Sequence, residues 1–170
     1  MLRLDLTRLE REGSIQIEAR IPPDDPLWTG TEVTFGGPVE VRVRAARAGS
    51  GEIVVRGTLE APLRQECRRC LEPVPGALSE EVTLVFLPAT EPGMEDDGET
   101  RLFEEGAGEL DLSEALREEV ILAIDPYVVC RPECKGLCPR CGANLNVETC
   151  GCTTEELDPR WDALRALKEE

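Results

Sequence analysis

Eight cysteines in four close pairs, on a chain without histidine, limit what this protein can fold into more than any other feature. The pairs are Cys67-x2-Cys70, Cys130-x3-Cys134, Cys138-x2-Cys141 and Cys150-x-Cys152. A Cys-x2-Cys turn brings two sulfurs to one ion while backbone N–H groups of the turn point at them. In "CKGLCPRCG", residues 134–142, Gly142 follows the second thiol and can take the positive φ that such a turn often requires. Four pairs suffice for two tetrahedral all-cysteine sites. Zinc, closed on four thiolates with no open position for catalysis, is the expected occupant of both. Without imidazole, Ser-His and Cys-His nucleophile pairs and mixed Cys-His metal sites are excluded.

Cys138 and Cys141 join Cys150 and Cys152 most readily, because only "GANLNVET", residues 142–149, separates the two pairs. Cys67, Cys70, Cys130 and Cys134 then form a second site that clips the first half of the chain to the last. A partition that places Cys130, Cys134, Cys138 and Cys141 together satisfies the spacing as well. Cys134-x3-Cys138-x2-Cys141 also has the spacing of a radical-SAM iron–sulfur motif, but the strand–helix repeats of that barrel are absent. A simpler iron–sulfur carrier is a further reading. So is thiol redox chemistry at Cys67 and Cys70, where Arg68 and Arg69 would lower a thiol pKa. The βαβ setting of a thioredoxin-like motif is missing.

The start, "MLRLDLTRLEREG", is charged throughout, and no later stretch has the length and hydropathy of a membrane span. A cytoplasmic location is expected, where thiols stay reduced and serve metal or redox chemistry rather than a disulfide framework. The formal charge of −16, from 35 acidic and 19 basic residues, disfavours loose binding to nucleic acid or membrane and favours a basic partner. The charge is uneven: residues 91–119 hold 12 acidic and two basic side chains, residues 41–70 seven Arg and three Glu. Aromatic residues make up only 4%, too few for a stacking platform for single-stranded nucleic acid. Arg64, Arg68, Arg69, Arg131, Lys135 and Arg140 lie beside the cysteines, where they can neutralise thiolates or contact RNA phosphates.

Alternating apolar residues dominate the first half: Leu2, Leu4 and Leu6; Ile15, Ile17, Ala19 and Ile21; Val39, Val41, Val43 and Ala45. Period two predicts half-buried strands. "AGSG", residues 48–51, predicts a hairpin turn before Ile53 and Val55, and Val82, Leu84 and Phe86 predict a strand beyond the first cysteine pair. An α+β fold follows: an antiparallel β-meander, one main helix and a C-terminal cysteine-rich module with a short helix. Residues 1–126 form the scaffold, with a mobile acidic loop at 88–108 and a helix at 111–125 that Asp111 caps with Glu114 three residues on. Residues 127–170 form the metal module and a last helix carrying Trp161, Leu164 and Leu167. The two parts are one compact unit.

"RQECRRCLEPV" (64–74), "ELDLSEALREEVILAIDPYVVCRPECKGLCPRCGANLN" (109–146) and "CGCTTEELDPRWDALRAL" (150–167) together resemble the YceD family of large ribosomal RNA subunit accumulation proteins. The resemblance covers essentially the whole chain in order and spacing. It implies a factor needed for normal accumulation of 23S rRNA, acting on a large-subunit precursor through rRNA or a basic ribosomal protein. It supplies no catalytic mechanism, so a non-enzymatic role is expected. The rivals are an iron–sulfur or thiol redox protein and an rRNA-processing enzyme. The nearest carboxylate cluster for the latter is Glu95, Asp96 and Asp97.

Overall fold

The computed structural model describes residues 2–49, 51–89, 101–104 and 106–152. The fold is α+β. A short strand β1 (Arg3–Asp5) runs into helix α1 (Leu6–Glu12), so the alternation at Leu2, Leu4 and Leu6 serves two elements rather than one strand. The Asp5 side chain accepts a 2.8 Å bond from the Arg8 N–H and starts the helix, while Gly13, at φ 74°, ends it. Leu6 and Leu9, three apart, place their side chains on one buried face.

Strands β2 (Ser14–Ile21), β3 (Val39–Arg47), β4 (Ile53–Glu66) and β5 (Pro73–Ala89) form the expected antiparallel meander. The turn between β3 and β4 closes through Ala48 N–H to Glu52 O (2.8 Å) and Gly51 N–H to Ala48 O (3.1 Å). Val41, Val43, Ile53, Val55, Leu59, Leu84 and Phe86 line the buried face of the sheet. In the middle of β4, Gly57 faces Val43 on one side and Val82 on the other. A Cβ there would sit 2.0 Å from Arg42 O, so only glycine allows β3 this close.

Strand β6 (Arg101–Glu104) corrects two expectations. It pairs with β5 in parallel, which makes the sheet mixed, and it lies inside the stretch expected to be a mobile acidic loop. The density of acid hides an anchor there: Phe103 is buried, and Arg101 meets Glu118 at 2.7 Å and Glu119 at 3.4 Å. Pro88 and Ala89 likewise extend β5. Glu95, Asp96 and Asp97 lie outside the described residues, as do Trp161, Leu164 and Leu167.

β7 (Glu109–Asp111) pairs with β1 in a two-stranded sheet, Leu110 opposite Leu4. Helix α2 (Ser113–Leu122) is shorter than the expected 111–125 and is one of two α-helices among the described residues. Leu112 occupies the capping position, and the Asp111 carboxylate accepts from the Ser113 N–H at 2.8 Å one residue earlier than a side-chain cap would sit. Ala115, Leu116 and Val120 pack the helix onto the core. Trp28 closes its other flank, with its ring 4.7 Å from Phe35 and its indole N–H donating to Pro22 O at 3.0 Å.

The sheet register positions the site. β3 pairs with β4 only between Arg47↔Ile53 and Glu40↔Glu60, whereas β4 and β5 pair from Ile53↔Phe86 to Glu66↔Pro73. The last turn of the β4–β5 hairpin therefore stands on a long two-stranded arm. Its free edge is covered by Thr34–Gly36, through Arg64 N–H to Thr34 O (2.8 Å) and Gly36 N–H to Pro62 O (2.7 Å).

Candidate metal centre

The tip of that arm is Cys67-Arg68-Arg69-Cys70-Leu71-Glu72. Cys67 N–H donates to Glu72 O and Leu71 N–H to Cys67 O, both at 2.9 Å, which folds the two thiols to one side. Leu71 takes φ 61°, a left-handed conformation that favours glycine. The later turn repeats the geometry with the expected residue. There Gly142 N–H donates to Cys138 O at 2.9 Å, with φ 75°.

Backbone contacts seat the segment after α2 on the arm. Arg68 N–H donates to Val128 O (3.0 Å) and Leu137 N–H to Arg69 O (2.9 Å). A Cβ on Gly136 would lie 2.9 Å from Arg69 O, so this approach requires glycine. The Arg69 guanidinium donates to the carbonyls of Pro132 (3.3 Å) and Cys134 (3.1 Å). Cys67, Cys70, Cys130 and Cys134 consequently converge, with all four sulfurs within 4.8 Å of one another. Cys67 and Cys134 are 3.8 Å apart and Cys70 and Cys130 3.7 Å. Val74, Val129 and Leu137 surround the cluster with apolar side chains.

Cys138, Cys141, Cys150 and Cys152 form a second group within the same 4.8 Å limit. The grouping that mixes Cys130 and Cys134 with Cys138 and Cys141 does not occur. Both groups fit a metal ion. Four sulfurs about 2.3 Å from a central ion, at the corners of a tetrahedron, are about 3.8 Å from each other, whereas a disulfide would need about 2.05 Å.

The thiols divide sharply in proton affinity. At Cys67 burial opposes ionisation, but backbone hydrogen bonds from Cys130, Cys70 and Arg69 outweigh it and lower the pKa to about 6. Burial, with the hydrogen bonds of Cys134, Cys70 and Cys67, raises Cys130 to about 12. Backbone hydrogen bonds from Cys141 and Arg140 bring Cys138 to about 6, while Cys141 and burial raise Cys152 to about 12. The first group thus favours thiolates at Cys67 and Cys134 and the second at Cys138, and each resists full ionisation until a cation neutralises the crowding.

The basic residues singled out beside the cysteines are all exposed, but they differ in surroundings. Arg69 is committed to carbonyls of the clamp. Arg68 lies 5.3 Å over the Tyr127 ring. Arg64 and Arg68 both line a groove of about 1220 Å³ between the arm, residues 30–34 and the end of α2. Arg117, which the sequence reading overlooked as a lone basic residue on an acidic helix, lines it too; Glu32, Glu66 and Asp125 add acid to the same walls. No helix among the described residues is long and apolar enough to cross a membrane.

This is an α+β protein with one four-thiol group at a hairpin tip and a second just beyond it in the chain. The chain belongs to the YceD family: the family described as large ribosomal RNA subunit accumulation protein YceD matches residues 55–168. All eight cysteines fall inside that match. An uncharacterized protein of Mycobacterium tuberculosis is 33% identical over 169 residues, covering 96% of this chain and 79% of the relative. The chloroplastic large ribosomal RNA subunit accumulation protein YCED homolog 1 of Arabidopsis thaliana is 29% identical over 197 residues, covering 96% of this chain and 61% of the relative. Its Zea mays namesake is 31% identical over 143 residues, covering 68% and 48%. No solved structure matches the chain.

Proposed function

We propose that this chain is a non-catalytic cytoplasmic factor supporting accumulation of 23S rRNA, which binds a large-subunit precursor through rRNA or a ribosomal protein. Two structural zinc ions staple its scaffold. The observation that carries the functional half is the family match over residues 55–168, reinforced by plant relatives named for large ribosomal RNA subunit accumulation. For the metal half, sulfur separations of 3.7 and 3.8 Å in the first group, and four sulfurs within 4.8 Å of one another in each, favour one tetrahedral ion per group. An iron–sulfur cluster divides its thiolates among several irons and spreads them farther. With four thiolates each, closed zinc sites leave no coordination position for a substrate.

The exposed Arg64 and Arg68 supply cations at a groove on a protein of net charge −16, which supports local rather than general contact with phosphate. The test is sedimentation of the tagged protein from lysate on a sucrose gradient, with and without ribonuclease. Migration with large-subunit precursors, lost on ribonuclease treatment, is expected. A protein that stays at the top of the gradient with no ribosomal component removes the proposal, and one found there with a single basic ribosomal protein selects the carrier form of it.

A further inference from the structure

The two thiol groups are not independent. Asn146 belongs to the loop between Cys141 and Cys150, and therefore to the second group, yet its side-chain N–H donates to the sulfur of Cys134 in the first at 3.4 Å. Three further hydrogen bonds hold the residue, two of them through the side-chain amide. Its oxygen accepts from Lys135 N–H at 2.9 Å, its nitrogen also donates to Asn144 Oδ1 at 2.9 Å, and its own backbone N–H donates to that oxygen at 3.0 Å. Asn144 reaches back as well, donating to Glu72 Oε1 at 3.2 Å on the hairpin tip. Leu145 N–H to Gly136 O (3.0 Å) completes the seam.

Resting on the metal reading above, we propose that Asn146 is a positioning residue that couples the two sites. An ion on Cys138, Cys141, Cys150 and Cys152 closes residues 142–149 into a fixed loop. That loop presents the Asn146 N–H to Cys134, where it stabilises the thiolate charge and orients the sulfur toward an ion shared with Cys67, Cys70 and Cys130. Filling the second site thus raises the affinity of the first, and by linkage the first raises that of the second. The local site orders the long-range clamp, whose ligands come from segments 60 residues apart in sequence.

The experiment uses the full chain, cobalt(II) as a spectroscopic probe, and zinc competition against a chelator. Wild type should bind two equivalents; binding of none removes the two-site reading and this inference together. N146A should keep two equivalents but lose about tenfold or more in first-site affinity. N146D, which keeps the side-chain volume but turns a carboxylate toward the thiolate, should lose more. C138S/C141S should weaken the first site comparably, and adding N146A to it should cost less than about threefold more, because both changes break one coupling. The thiolate-to-cobalt charge-transfer band should shift to lower energy in N146A, since the sulfur loses its N–H. First-site affinity within twofold of wild type in N146A, an unshifted band, or losses that multiply in the combined variant would overturn the coupling.

Discussion

The Cys67 sulfur lies 3.8 Å from that of Cys134, although 67 residues separate them. One contact thus ties the tip of the β4–β5 arm to the chain beyond α2. The arm reaches past β3, so its end has few sheet neighbours and depends on this clamp. Removing metal with a chelator at neutral pH should therefore loosen residues 61–78 and 128–152 first. Hydrogen exchange by mass spectrometry checks this: faster exchange there, with β2, β3 and the first half of β4 still protected, is the expected pattern. Uniform exchange throughout would show that the clamp supports the whole fold instead.

Leu71 and Gly142 sit at matching places in the two cysteine turns, at φ 61° and 75°. A side chain in the left-handed region costs roughly 1–2 kcal/mol. Leu71 is 58% exposed and contributes little burial in return. L71G should stabilise the loaded protein by up to about 1 kcal/mol, while G142A, whose added Cβ meets nothing within 4 Å, should destabilise it by about 1 kcal/mol through conformation alone. Denaturant melts in excess zinc read both. Equal signs for the two substitutions would contradict the paired geometry.

Gly57 has no such freedom. A methyl group there would have to displace the β3 backbone at Arg42 and Val43. G57A should cost on the order of 3 kcal/mol, an overpacking effect against backbone rather than a flexible side chain. A melt within about 0.5 kcal/mol of wild type would mean that β3 and β4 separate more easily than the register implies.

Arg68 and Arg69 are neighbours with different work. R64E/R68E should leave the fold and metal content unchanged and reduce co-sedimentation with ribosomal precursors, because these side chains face the groove. R69E should instead loosen the clamp, since its guanidinium holds the carbonyls of Pro132 and Cys134. Unchanged sedimentation for R64E/R68E would remove RNA contact from this face.

Asp111 sets a pH dependence. Burial opposes its ionisation, but the hydrogen bonds of Ser113 and the charge of Arg3 prevail and hold the carboxyl below its ordinary 3.8. A pKa lower in the folded state means that the carboxylate stabilises the fold fully above the unfolded value and loses that effect as pH falls through the folded one. D111N should cost about 0.5–1 kcal/mol near neutrality, a difference that shrinks toward zero as the pH falls from the ordinary carboxyl value through the lower folded one. Denaturant melts of both proteins across this range measure it. A gap independent of pH would show that Asp111 acts through its shape alone.

Much of this was legible in the sequence. The alternation at Val39–Ala45 and Val82–Phe86 reported true strands, because a half-buried sheet imposes period two directly on side chains. Leu6 misled because one residue extends an alternation as easily as it begins a helix; Asp5 and Gly13 were the signals that separated the two. β6 was masked by its neighbours. Four residues around Phe103, set among acid, carry too little periodicity to announce a strand, and only the open edge of β5 makes them one.

The sequence alone ruled out imidazole chemistry and marked eight closely paired thiols as candidate ligands, at spacings short enough for each pair to fold onto one point. It could not decide which pairs meet, because closing a long loop costs only slightly more entropy than closing a short one. Tertiary structure made that choice. The unbroken β4–β5 register carries Cys67 and Cys70 beyond the core, and the backbone bonds of Arg68 and Arg69 then bring Cys130 and Cys134 to them.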